Sequence, residues 1–144
     1  MDLRLKYPPT PEHAADVAAT CVEAAKGISG IDLDYSPRSL ELVDRQLDRF
    51  AREGQDSSRI ASTLFCFGCY VGEILVRNLG GYWVSVTDPA MERLAGFPMV
   101  VMMGNGDWWN PIGKVFKRLD DGASESLDYF FAVAAGGGAD KQSS

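Results

Sequence analysis

Gly68-Cys69-Tyr70-Val71-Gly72-Glu73-Ile74-Leu75-Val76-Arg77-Asn78-Leu79-Gly80-Gly81-Tyr82-Trp83 decides how this chain is built. One acid and one base, four residues apart, sit in an otherwise apolar run. A helix that is apolar nearly all round belongs in the middle of a core. The run therefore predicts a central helix from Asp56 or Ser57 to about Leu79. Gly68 and Gly72 share a face, where a bare backbone lets a neighbouring element approach closely. Each glycine costs a helix ~1 kcal/mol relative to alanine, so close packing has to offset it. Gly80-Gly81 ends the helix, and Tyr82 to Thr87 reads as a strand.

Two helices are expected upstream. Thr10 before Pro11 is an N-cap with proline in the first turn. Ala14, Val17, Ala18, Cys21, Ala25 and Ile28 follow at helical spacing as far as Gly27 or Gly30. Ser36 and Pro37 open a second helix with an apolar stripe of Leu40, Val43, Leu47 and Phe50, ended by Gly54. Its wet side offers the i,i+4 pairs Glu41–Arg45 and Asp48–Arg52. Leu3, Leu5 and Tyr7 alternate with polar residues and suggest a short N-terminal strand.

Downstream, Ala90 to Leu94 holds a helical turn and Pro98 to Met103 a second buried strand. Gly104-Asn105-Gly106-Asp107 is a turn signal. Asn110-Pro111 opens a helix with Ile112, Val115, Phe116 and Leu119 inward. Ser124 caps a last helix carrying Leu127, Phe130, Phe131 and Ala134. The expected class is α+β: a helical N-terminal half, a small antiparallel sheet of two or three strands, and two C-terminal helices. Residues 1–135 form one globular domain and 136–144 a disordered tail.

With 144 residues, 46% apolar and 24% charged, the chain has the make-up of one ordinary globular domain. Its net charge is −6 and no lysine or arginine cluster occurs, so neither nucleic acid nor an anionic membrane is an expected partner. Glu73 and Arg77 interrupt the longest apolar run, which argues against a membrane span. The N-terminus lacks a signal-peptide core, so a cytoplasmic location is expected. Three cysteines, an odd number, point to reduced thiols. A single histidine, His13, removes most histidine-based zinc and triad schemes. No metal and no cofactor is implied.

Three constellations could carry function. Tyr70, Glu73 and Arg77 fall on one helical face with Cys66. The favoured reading is a partly buried ion pair with Tyr70 alongside, tying the helix to the strand at Trp83. The functional alternative is a small polar site, in which Arg77 grips an anion and Glu73 acts as a base. Cys66-Phe67-Gly68-Cys69 is a C-x-x-C, but a redox pair belongs at a helix N-terminus and this one lies inside a helix. Trp108-Trp109 is a candidate partner surface: one of two neighbours buries while the other faces out as an anchor. The favoured reading is a loop lid over the core.

Some of these residues also form a pattern. Ile31-Asp32-Leu33-Asp34-Tyr35-Ser36 is followed by Tyr70-Val71-Gly72-Glu73 with Arg77, Gly80-Gly81 and Trp83, and by Asn110-Pro111-Ile112-x-Lys114-Val115-x-Lys117-Arg118-Leu119. It resembles a bacterial domain of unknown function, found as a small stand-alone protein in actinomycetes among others. The resemblance spans roughly Ile31 to Phe131 and implies no activity. The functional expectation is a non-enzymatic binding or interaction module with a protein partner, immunity-like or regulatory. Its alternatives are an enzyme or ligand-binding protein using Tyr70, Glu73 and Arg77, and a thiol-redox protein using Cys66 and Cys69.

Overall fold

The structure, a computed structural model, describes residues 7–136. The elements are α1 (Ala14–Ser29), α2 (Leu40–Arg52), α3 (Ala61–Leu79), β1 (Tyr82–Ser85), α4 (Pro89–Ala95), β2 (Met99–Met102), β3 (Trp108–Trp109), α5 (Pro111–Asp121) and α6 (Leu127–Ala135). This is the expected α+β class, with a sheet of three antiparallel strands in the order β1-β2-β3.

Helix α3 is the centre of the core. Every residue from Thr63 to Leu75 is buried. It packs against α1 on one side and α5 on the other. The two glycines do what their spacing suggests. A Cβ on Gly68 would stand 2.6 Å from the Cα of Ile112 on α5, and a Cβ on Gly72 would collide with the indole of Trp83. Gly80 ends the helix in the left-handed region, at φ 77°, which glycine adopts without steric cost.

Side-chain caps start α4 and α5. The Asp88 carboxylate accepts the Ala90 N–H and starts α4. Asn110 accepts the Gly113 N–H and starts α5, while its own amide donates to the Ala95 carbonyl and ties α4 to α5. Each cap satisfies a donor that a helix start leaves free.

Several expectations need correction. Helix α3 begins at Ala61 rather than at Asp56 or Ser57. The Asp56 carboxylate instead holds a turn by accepting the N–H groups of Ser58 and Arg59. The last helix is capped by Ser126, which accepts the Tyr129 N–H, and not by Ser124. Strand β1 stops at Ser85. Asp48 does not pair with Arg52 but turns to Arg118 of α5. Tyr7 lies outside any strand; Leu3 and Leu5 of the expected N-terminal strand fall outside the described residues, as do 137–144 of the expected tail. Among the described residues, no helix is long and apolar enough to cross a membrane.

Candidate functional site

The register of the sheet sorts its side chains. Trp83 stands opposite Val101 and Val101 opposite Trp109; Tyr82 stands opposite Met102 and Met102 opposite Trp108. Residues directly opposite one another share a face. The inner face is thus Trp83–Val101–Trp109, and the outer face carries the row Tyr82–Met102–Trp108, next to a covered Val84–Val100 pair in which Val100 is fully buried. Trp109 is 1% exposed and meets Phe130 edge-on at 5.7 Å between ring centroids. Trp108 is half-buried and Tyr82 is 53% exposed. The two tryptophans do divide between inside and outside, but through strand alternation: they are β3, not a loop. The sequence carries no charged residue from Leu79 to Thr87 or from Phe97 to Gly106, so the row is flanked by neutral backbone on two strands.

The second candidate, around α3, is a closed network. Glu73 is buried, and its two oxygens are both used: Oε1 accepts Arg77 Nε at 3.1 Å and Oε2 accepts Trp83 Nε1 at 2.9 Å. Arg77 is half exposed and its guanidinium lies 3.6 Å from the centroid of the Tyr35 ring. That ring meets Tyr70 at 5.0 Å. Tyr70 Oη accepts the Tyr35 N–H at 2.9 Å and lies 2.6 Å from Ser39 Oγ. The single Ser39 hydroxyl proton goes to the Ser36 carbonyl, so Tyr70 donates to Ser39. Burial pushes the Tyr70 hydroxyl upward. Tyr70, Glu73 and Arg77 are brought together as expected. Tyr35 and Ser39, which complete the set, come from the α1–α2 connection. Tyr35 carries the one positive φ outside glycine among the described residues, 65°. Nothing in the local sequence signals it.

The three thiols are buried and free. Burial pushes Cys66 up to about 11, and raises Cys21 and Cys69 as well. A thiolate at neutral pH is therefore strongly disfavoured at all three. Among the described residues, no group of three or more histidine, cysteine or acidic side chains is placed to hold a metal ion.

A second polar cluster was not anticipated. Arg118 of α5 is 3% exposed; its Nε donates to Asp44 Oδ1 at 2.8 Å and its Nη1 lies 2.9 Å from Asp48 Oδ1. Burial alone would lower Arg118; the hydrogen bonds to Asp48 and Asp44 more than offset it and hold the guanidinium above its ordinary value. Asp44 Oδ1 also accepts the Leu127 N–H at 3.1 Å. Lys114 Nζ meets Glu125 Oε1 at 2.6 Å. These groups join α2, α5 and α6.

Four depressions among the described residues are lined by residues other than Tyr70, Glu73 and Arg77. One is apolar, between α1, α2 and the α1–α2 connection; another is polar, beside Asp32, Asp34, Arg38 and Glu41; two more flank Phe97 and Pro98. Comparison of the chain with protein-family models, curated proteins and solved structures found no match.

Proposed function

We propose that this protein is a non-enzymatic binding module whose outer sheet face receives an apolar patch of a protein partner. The observation that carries this reading is the row Tyr82–Met102–Trp108, set on three neighbouring strands with its aromatic residues at either end. Large aromatic side chains on a rigid support bury much area at little entropic cost. Absence of charge over the surrounding strand segments fits the composition of interface centres, where charged residues are depleted. The net charge of −6 then acts at longer range, favouring a partner with a basic rim and slowing approach of acidic ones.

The polar set supports the same reading from the other side. Each oxygen of the buried Glu73 carboxylate already accepts a hydrogen bond, from Arg77 and from Trp83, and Tyr70 is bonded to Ser39 and Tyr35, which weighs against use of the carboxylate as a base. Raised thiols weigh against redox use of Cys66 and Cys69.

The test is affinity capture with the wild-type chain beside a Tyr82→Ser, Trp108→Ser double variant whose fold is checked by circular dichroism. A protein held by the wild type and released by the folded double variant supports the reading. Identical capture by both overturns it.

A further inference from the structure

A separate feature lies at the α1–α2 connection. Helix α1 packs on α3, and α2 packs on α5 and α6, while α1 and α2 have little direct contact with each other. The seam between them is closed by the connecting residues 30–36. Leu33 is buried there at 6% exposure, and Ile31 packs against the core. Beneath them lies an apolar slot lined by Cys21, Ala25, Leu42, Val43 and Phe67, enclosing about 10 Å³, room for about one water. The connection is fastened at two ends. At the first, Gly30 is left-handed and the Ile31 N–H returns to the Ala25 carbonyl at 3.1 Å. At the second, Tyr35 is held in the left-handed region by four contacts: its N–H to Tyr70 Oη, its carbonyl from Asn78 Nδ2 at 3.0 Å, and its ring between Tyr70 and the Arg77 guanidinium.

A non-glycine residue in that region is strained, and persists only where its surroundings over-determine it. Such strain gathers at parts of a fold that switch. We propose that residues 30–36 form a strap that opens as a unit over the slot, with Tyr35 as its latch and Arg77 as the catch reached from solvent. Opening releases the backbone strain at Tyr35 and uncovers Cys21, while Cys69, inside α3, stays covered. This opening is local: α3 and its contacts with α1 and α5 are left in place.

The native chain reports on it through its own thiols. Under native conditions, labelling with an excess of a thiol-alkylating reagent is followed residue by residue by mass spectrometry. The expected result is that Cys21 is labelled faster than Cys69. Arg77→Met removes the catch and is expected to raise the Cys21 rate relative to Cys69 roughly fivefold, the worth of one cation–π contact. Equal rates at Cys21 and Cys69 in the wild type overturn the proposal, because the slot then opens only when the whole domain unfolds. An unchanged ratio in a folded Arg77→Met variant removes Arg77 as the catch and overturns the latch. Should that variant fail to fold, amide exchange in the wild type decides: residues 31–35 exchanging ahead of the α1 and α3 amides supports the strap, and exchange in step with them overturns it.

Discussion

Trp83 is fitted to Gly72 and bonded to Glu73, the next residue on the same helix. The indole occupies the space a Gly72 side chain would need, and its Nε1 donates to Glu73 Oε2 at 2.9 Å. Apolar packing and a charge-assisted hydrogen bond therefore fix one ring against one turn of α3. The first strand of the sheet is aimed by this pair: once Trp83 is seated inward, Tyr82 must face out.

Glycine replacements along the chain are expected to split by location. Gly72→Ala and Gly68→Ala gain helix propensity but force Trp83 away in one case and the α5 backbone away in the other, for a net loss of about 1–3 kcal/mol. Gly27 lies in α1 with nothing within 4 Å of its added Cβ. Gly27→Ala is expected to stabilise by up to ~1 kcal/mol. Urea titrations of the three variants give the comparison.

Removing the acceptor at position 73 tests the structural reading of the ion pair. Glu73→Ala leaves the Trp83 N–H without its partner, and a loss of about 2–3 kcal/mol is expected by denaturant unfolding. Glu73→Gln keeps the shape and is expected to lose less. If capture of a partner is unchanged in a folded Glu73→Gln variant, Glu73 serves the fold; loss of capture at unchanged stability would instead return it to a binding site.

Arg118→Ala strands Asp44 in a largely dry place. Breaking a buried pair costs about 3–5 kcal/mol, and the half-exposed Asp48 side chain brings the expectation to the lower end. Arg118→Met, which refills the volume, is expected to recover part of the loss. Thermal unfolding of both variants against the wild type is the check.

The thiols set a limit at alkaline pH. Cys66 holds its proton in the folded chain up to about 11, against an ordinary value of 9.0. For a group whose folded value is raised, the stability is fully present below the unfolded value and is lost as pH rises through the folded one. Stability is expected to fall between about pH 9 and 11, at up to ~1.4 kcal/mol per pH unit for each thiol. Cys66→Ala is expected to flatten that decline relative to its own value at pH 7. An identical pH profile would contradict the assignment.

The central place and the end of α3 are legible in the sequence because an all-round apolar run with two glycines four apart has few other uses; its start at Ala61 is not, because Asp56 has the chemistry of a helix cap and holds a turn instead. Trp108-Trp109 was harder. A strand of two residues is shorter than any alternation pattern, and only pairing with Val101 and Met102 makes it one. Arg118 sits on an amphipathic helix and has the composition of a wet face; its partners, Asp44 and Asp48, lie on α2. The left-handed turn at Tyr35 is imposed by Tyr70, Asn78 and Arg77 of α3. Local signals specify the elements and some of their caps, such as Ser36 and Asn110. They do not specify which distant polar group an element will meet, and both clusters are of that kind.

Asp44 also has a consequence for anyone who shortens or fuses this chain. One oxygen of a residue in α2 receives both the α5 guanidinium and the first amide of α6. The C-terminal helix is therefore moored to the N-terminal half through a charge, not merely laid on it. A chain ending before Ser126 loses that mooring along with the helix, and its Arg118–Asp44 pair is opened to water. Tags, reporters and fusion partners belong beyond Ala135. A ribosome-bound chain, likewise, can complete this corner only after its last helix has emerged.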